Sequence, residues 1–220
     1  MHARRRHLLP FTLPALLACT QTMAGDGTAT TPRYVFDPVH TRVMFSIDHA
    51  GFSNAIGTVS GSEGSLHFDP EHWERTQLDV SVPMTKLDMG DSGWTASVFA
   101  PRFLNVKRYP QARFVATEVS RTEGKHGRAC GRLTLHGVTR PLCMELTLNR
   151  IGRYPLPPFR RTVGFSASAT LKRSDYGMKS WRSLVGDDVV LRIEAELYRQ
   201  EDATETSPPI REPAHAEEQP

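Results

Sequence analysis

Cysteine is scarce in this chain of 220 residues, with only Cys19, Cys130 and Cys143. None sits in a CxxC pair, which removes the usual signature of a thiol oxidoreductase or a structural zinc site. The chain also lacks a glycine-rich phosphate loop, a dinucleotide fingerprint and a helical zinc motif. The histidines at 40, 49, 67, 72, 126 and 136 are scattered, with no two at helical ligand spacing, so no metal site is expected. Gly164-Phe165-Ser166-Ala167-Ser168 starts like a nucleophile elbow. It lacks the closing glycine and runs from strand into strand, so no catalytic residue is assigned. Long apolar runs are missing too. The longest, LLPFTLPALLA near the start, is too short to span a bilayer. Charge of one sign is likewise modest, with a net +3 from 27 basic and 24 acidic residues.

That small net charge conceals uneven ends. The first 24 residues carry +3 with no acid, the last 20 carry −5, and +5 remains between them. One local basic cluster, Arg150, Arg153, Arg160 and Arg161, stands out. A nucleic-acid footprint would be denser and interleaved with exposed aromatics, so no nucleic-acid partner is expected.

The basic HARRRH segment followed by the short apolar run has the form of an export signal over residues 1–24. Thr22-Met23-Ala24 before Gly25 suits cleavage to a free protein. Leu16-Leu17-Ala18-Cys19 instead resembles a lipobox, with Cys19 as the lipidated residue. Arg5-Arg6-His7-Leu8-Leu9 is similar to the core of a twin-arginine signal, although an ordinary basic leader explains it more simply. Either route places the chain in the periplasm, free or lipid-anchored. In that oxidising compartment Cys130 and Cys143 are an even pair. Residues 25–33 read as a polar linker, 34–200 as the folded domain, and the acidic, proline-containing 201–220 as a disordered tail.

The domain is written in alternation. In Tyr34 to His49, read as one first stave, Val43, Phe45, Ile47 and His49 share a face against Arg42, Ser46 and Asp48. The same period brings together Leu78, Val80, Val82 and Met84, then Leu133 and Leu135. It recurs in Phe165, Ala167 and Leu171 with Arg173, and in Leu191 and Ile193. Gly51, Gly57, Gly61 and Gly64 mark bends of a curling sheet. Residues 86–105 break the alternation, and within them Trp94, Val98 and Phe99 recur at helical spacing, with Ser92 as a cap and Pro101 as a stop. They predict a short helix at one barrel end with its aromatics in the core. If His136-Gly137 is a two-residue turn, Cys130 faces Cys143 across the hairpin; a disulfide or two free thiols are the alternatives. The proline-rich NRIGRYPLPPFRR reads as a basic loop, either solvated or touching anionic headgroups as a peripheral membrane contact. The fold class is all-β, and a barrel of about eight strands either fills its interior or holds one small ligand.

An ordered series of motifs resembles one known family. Tyr34-Val-Phe-Asp37-Pro-Val-His40-Thr is similar to its opening segment, and Phe45 with His49 to its next. Gly57 and Gly61-Ser-Glu-Gly64 match its glycine-marked strand, and FLNVKRYPQARF from Phe103 matches its aromatic YP segment. Gly131-Arg-Leu-Thr-Leu-His-Gly137-Val-Thr and Lys172-Arg173-Ser174-Asp175-Tyr176-Gly177 complete the series. On these residues the chain resembles the YceI-like, polyisoprenoid-binding periplasmic proteins. The resemblance implies an extended antiparallel eight-stranded, lipocalin-like barrel with a short flanking helix. Its lumen would bind a long-chain isoprenoid, quinone-like or fatty lipid without catalysis and with no other cofactor; the lesser alternative is an enzyme acting on such a lipid through His40, His49 or Arg173. The lining candidates are the alternating residues named above with Phe99 and Phe103. His49 and Arg173 are the polar candidates for a headgroup contact or, alternatively, for structural hydrogen bonding. Some members are linked to membrane cytochromes of the b561 type, which makes such a cytochrome a candidate partner. The family's charged run before the aromatic segment is replaced here by GDSGWTASVFAPRFLNV.

Overall fold

A computed structural model describes residues 31–200. The expected export signal with Cys19, most of the expected linker and the expected disordered tail lie outside those residues. The elements are β1 (Arg33–Phe36), β2 (Arg42–His49), β3 (Ser53–Val59), β4 (Glu63–His67), β5 (Gln77–Pro83), β6 (Leu87–Asp88) and α1 (Ser92–Phe99). The long strands β7 (Gln111–Arg121), β8 (His126–Leu135), β9 (Val138–Arg153), β10 (Arg161–Lys172) and β11 (Val185–Arg199) follow.

Eight strands close a ring in the order β1-β4-β5-β7-β8-β9-β10-β11, with β11 returning to β1 and every pair antiparallel. Strand β11 has two partners on one edge. Its last residues, Leu197 to Arg199, pair with β1, and its earlier part, Val185 to Glu194, pairs with β2. From β2 the sheet extends outward to β3 and β6. One end of the barrel is therefore a closed ring, while the other is enlarged by three added strands.

The expected single stave from Tyr34 to His49 is in fact two strands. The Asp37 carboxylate accepts hydrogen bonds from the amides of Val39 (2.8 Å) and His40 (3.0 Å), closing an Asx-type turn around Pro38. Proline has no amide to continue the ladder, so the chain leaves the ring after Phe36 and re-enters it as β2. The β8–β9 hairpin has the register anticipated from its turn. His136 (φ 52°) and Gly137 (φ 75°) take the left-handed conformations of a two-residue hairpin turn, Leu135 pairs with Val138, and Cys130 pairs with Cys143. Those cysteines are joined in a disulfide. Strand β7 lacks a clean apolar face because its register shifts between Ala116 and Glu118. Ala112 and Phe114 point inward before the shift and Val119 after it. Much of the expected basic loop is strand, since β9 continues to Arg153 and leaves only residues 154–160 between strands.

Helix α1 is capped one residue earlier than expected. The Asp91 side chain, not that of Ser92, accepts from the Trp94 amide at 2.8 Å. The helix stops before Pro101. Trp94 is 38% exposed, so it is not the core residue that helical spacing suggested. Pairing of β9 with β10 ends at Ser168 opposite Glu145, although β8–β9 and β10–β11 continue further toward the helix end. The strands part there, and the side chains of Leu171, Tyr176 and Met178 fill the opening with Leu142.

Candidate functional site

The barrel interior is divided along its length. At the closed end Tyr34, Leu66, Phe68, Trp73, Val119, Ala129, Leu148, Val163 and Leu197 form a solid floor, each 6% exposed or less. Aromatic edges set its upper surface. The Phe68 ring meets Trp73 at 5.5 Å and Phe165 at 5.2 Å, edge to face in both cases. Trp73 is anchored by its indole N–H, which donates to the Pro70 carbonyl at 3.0 Å. Gly127 leaves room for that indole, because a Cβ there would lie 2.4 Å from the Trp73 ring.

Above the floor the interior changes character. Val43, Phe45, Ile47, Val82, Val98, Phe99, Leu104, Leu133 and Leu135 pack around the buried Ala55, Val59, Met84, Leu87, Met89, Val106 and Ala112. Val189 and Leu191 border the same region beside Tyr176. Unlike the floor residues, these inward-pointing side chains are only half-buried, as are Val80, Ala167, Ala169 and Ile193. Their outward neighbours Ser168, Thr170, Val190 and Arg192 are exposed, so the partial exposure of the inner row marks space inside the wall. Small residues keep that space open. Ala169 stands opposite Leu191 and Ala167 opposite Ile193 across β10–β11. Gly57 admits the Phe45 ring, which a Cβ would approach to 2.5 Å.

The sequence-predicted lining therefore separates into groups. Val43, Phe45, Ile47, Val80, Val82, Phe99, Leu133, Leu135, Ala167, Leu191 and Ile193 belong to the upper compartment, with buried Met84 and Leu171 behind it. Leu78 and Phe165 pack instead against the floor, because the ring narrows where β1 and β4 close it. Phe103 lies at the rim, its ring 6.4 Å from that of Trp181. His49 is exposed and its ring stands 5.6 Å from that of Trp94, so it edges the opening and does not line the interior.

Arg173 is not free for a ligand. It is 4% exposed, and its guanidinium donates to the carbonyls of Gly186 (2.7 Å), Met178 (2.7 Å) and Val185 (2.8 Å). Burial pulls its pKa below the usual arginine value, and the nearby Asp187 carboxylate opposes that shift. Asp187 in turn accepts from the hydroxyl (2.7 Å) and amide (3.0 Å) of Ser174. The hydroxyl bond lowers its pKa most, against a smaller contrary effect of burial. Arg173 and Ser174 thus tie the turn after β10 to the start of β11, which fixes one side of the opening.

Pattern reading marks His136 only as a turn residue, not as part of the site. Its Nδ1 bonds the Tyr176 carbonyl at 3.0 Å, its ring lies 4.7 Å from Tyr109, and its Nε2 is buried without a protein partner. Leu104 was also missed, since it sits on a loop where strand alternation has no reach. Two depressions lie apart from this compartment. One, of about 380 Å³, lies against β9–β11 and has a mixed-charge lining that includes His40, Arg150, Arg153, Glu194 and Glu196. The other, of about 260 Å³, occupies the parting of β9 and β10 beside Tyr176. Among the described residues no group of three or more His, Cys, Asp or Glu is placed to hold a metal ion.

Comparison with known proteins places this architecture. The model of the YceI-like domain matches residues 34–197. A UPF0312 protein of Pseudomonas savastanoi pv. phaseolicola is 35% identical over 167 residues, covering 75% of this chain and 82% of the relative. The crystal structure of Burkholderia cenocepacia BcnA superposes with a TM-score of 0.66 at 21% identity, covering 73% of this chain and 98% of that one. A polyisoprenoid binding domain from Saccharophagus degradans, implicated in plant cell wall breakdown, superposes with a TM-score of 0.59. It is 12% identical, over 76% of this chain and 98% of that domain.

Proposed function

We propose, for a chain that belongs to the YceI-like family, that it binds a long-chain amphiphile in the upper compartment of its barrel, without turnover, in the periplasm. The observation that carries this reading is the contrast between a closed aromatic floor and a half-buried apolar lining above it. Such a chamber has a bottom and one end enlarged by added strands, the shape that suits a lipid tail inserted end-on. The polyisoprenoid binding of the Saccharophagus neighbour supports the same cargo class, and quinone-like and fatty tails share its chemistry.

The energetics favour long tails over short ones. Each buried methylene contributes about 0.8 kcal/mol, whereas association costs on the order of 4–15 kcal/mol in lost freedom. A tail of a few carbons cannot offset that cost, and a tail of about twenty or more covers the whole of it. No charged headgroup anchor is required, which agrees with Arg173 being held by backbone carbonyls. The test is displacement of a fluorescent polyene fatty acid by saturated acids and isoprenoid alcohols of increasing length. Affinity should rise steeply with length until the compartment is full; length-independent or absent displacement refutes the reading.

A second reading, a docking module for a membrane cytochrome of the b561 type, draws on the loop at the floor end. Arg153, Arg160 and Arg161 are exposed there with Leu156 and Phe159. Crosslinking from that loop in intact cells would recover the cytochrome if this reading holds.

A further inference from the structure

We infer that the rim of the upper compartment is a docking surface for an anionic phospholipid bilayer, so that a lipid tail passes between membrane and barrel without crossing water. This inference rests on the carrier reading above and specifies where the cargo enters.

Four large apolar side chains are exposed at this end: Phe52 at 92%, Trp181 at 54%, Leu184 at 47% and Trp94 at 38%. They come from two separate loops and α1, yet form one neighbourhood. The Ala50 amide donates to the Leu184 carbonyl at 2.6 Å, and the Leu184 amide to the Trp181 carbonyl at 3.0 Å. The Phe52 amide donates to the carbonyl of His49, whose ring faces Trp94. Isolated exposed apolar residues need no explanation, but a contiguous patch of them marks an interaction site. Two tryptophans at one rim suit a membrane interface, where an indole places its apolar body among tails and its N–H among headgroups.

Charge selects the kind of membrane. The Arg102 guanidinium lies over the Phe103 ring at 5.8 Å and over the Trp181 ring at 5.5 Å, which sets a cation among the aromatics. From Ser92 to Thr117 the chain carries no acid, and none falls between Asp175 and Asp187. Those stretches supply Arg102, Lys107, Arg108, Lys179 and Arg182. Four carboxylates near this end keep their charge but are held at the backbone, while Asp175 stays exposed at its edge. Asp48 accepts from the Gly51 amide, Asp88 from Gly90, Asp91 from Trp94 and Asp187 from Ser174. The rim therefore offers basic side chains beside apolar ones, matching anionic headgroups above acyl chains.

The test is flotation of the full-length protein with protein-free vesicles, either of phosphatidylglycerol and phosphatidylethanolamine or of phosphatidylcholine alone. The wild-type protein should float with the anionic vesicles and lose binding in high salt. The double variant Phe52→Ser/Trp181→Asn should weaken partitioning by at least about tenfold. Arg102→Glu/Arg182→Glu should remove the preference for anionic vesicles. A charge reversal at the opposite end, Arg153→Glu/Arg160→Glu, should change little. The inference is overturned if wild type ignores the vesicles, if the rim variants bind as well as wild type, or if only the opposite-end variant loses binding. Binding to native membranes but not to protein-free vesicles would also overturn it, in favour of a membrane protein. Polyene-acid binding in aqueous solution, measured in parallel, separates the two ideas. Rim variants should keep it, and docking without any ligand uptake would sink the carrier reading alone.

Discussion

Replacing Arg173 with alanine separates a structural arginine from a ligand-binding one. The wild-type side chain is 4% exposed and supplies three charge-assisted hydrogen bonds, to the carbonyls of Gly186, Met178 and Val185. Leaving a buried acceptor unpaired costs about 1–3 kcal/mol. The three sites are coupled and water will reach some of them, so the sum is not taken at face value. A loss of about 3 kcal/mol is expected, which corresponds to a fall in Tm of roughly 6–12 °C at this domain size. Arg173→Lys keeps the charge, but its single ammonium cannot span three carbonyls. It should fall between wild type and alanine. Urea denaturation followed by tryptophan fluorescence measures the loss, and titration with a polyene fatty acid below the transition measures binding. The reasoning is refuted if alanine leaves stability within about 0.5 kcal/mol while abolishing ligand binding, because Arg173 would then be contacting cargo.

Three further outcomes follow from the same geometry. Ala169→Phe, set on the inner row opposite Leu191, should fill the compartment and weaken long-chain binding about tenfold or more, at a stability cost of roughly 1–3 kcal/mol; displacement titration checks it. Reduction of the Cys130–Cys143 disulfide, which spans a sequence separation of 13, should cost up to about 3 kcal/mol in urea unfolding. It should leave ligand affinity intact, since the pair lies on the outer face. His40 should titrate above the ordinary histidine value, because the Asp37 carboxylate at 2.9 Å hydrogen-bonds and stabilises its charged form. That contribution to stability is full below the unfolded pKa and is lost as pH rises through the raised folded value. Proton NMR of the imidazole should show the shift reversed in Asp37→Asn.

Much of the fold was legible because alternation and turn chemistry are local. Val43, Phe45 and Ile47 fall on one face as read, and so do Leu191 and Ile193. The glycine after His136 set the register that places Cys130 against Cys143. The misreadings arise where a long-range arrangement overrides the local pattern. Alternation assigns a face but not a depth, so Leu78 and Phe165 looked like lining although they belong to the floor. A register shift in β7 moved Val119 onto the inner face that simple parity denied it. Helical spacing grouped Trp94 with the core, yet α1 flanks the opening and presents that indole to solvent. Arg173 shared the inner parity of its strand, but a turn starts at that residue and swings it toward three carbonyls. The YceI-like motifs supplied what periodicity could not, namely that eight strands close into one ring; which strands close it came only from the structure.

What occupies the compartment decides most directly whether the barrel carries a lipid. Native mass spectrometry of the protein purified without detergent from a bacterial envelope, followed by identification of the released mass, tests this. One long-chain isoprenoid, quinone-like or fatty lipid per protein is the predicted result. A protein that emerges empty and takes up no polyprenyl or fatty chain added in excess would contradict the carrier reading.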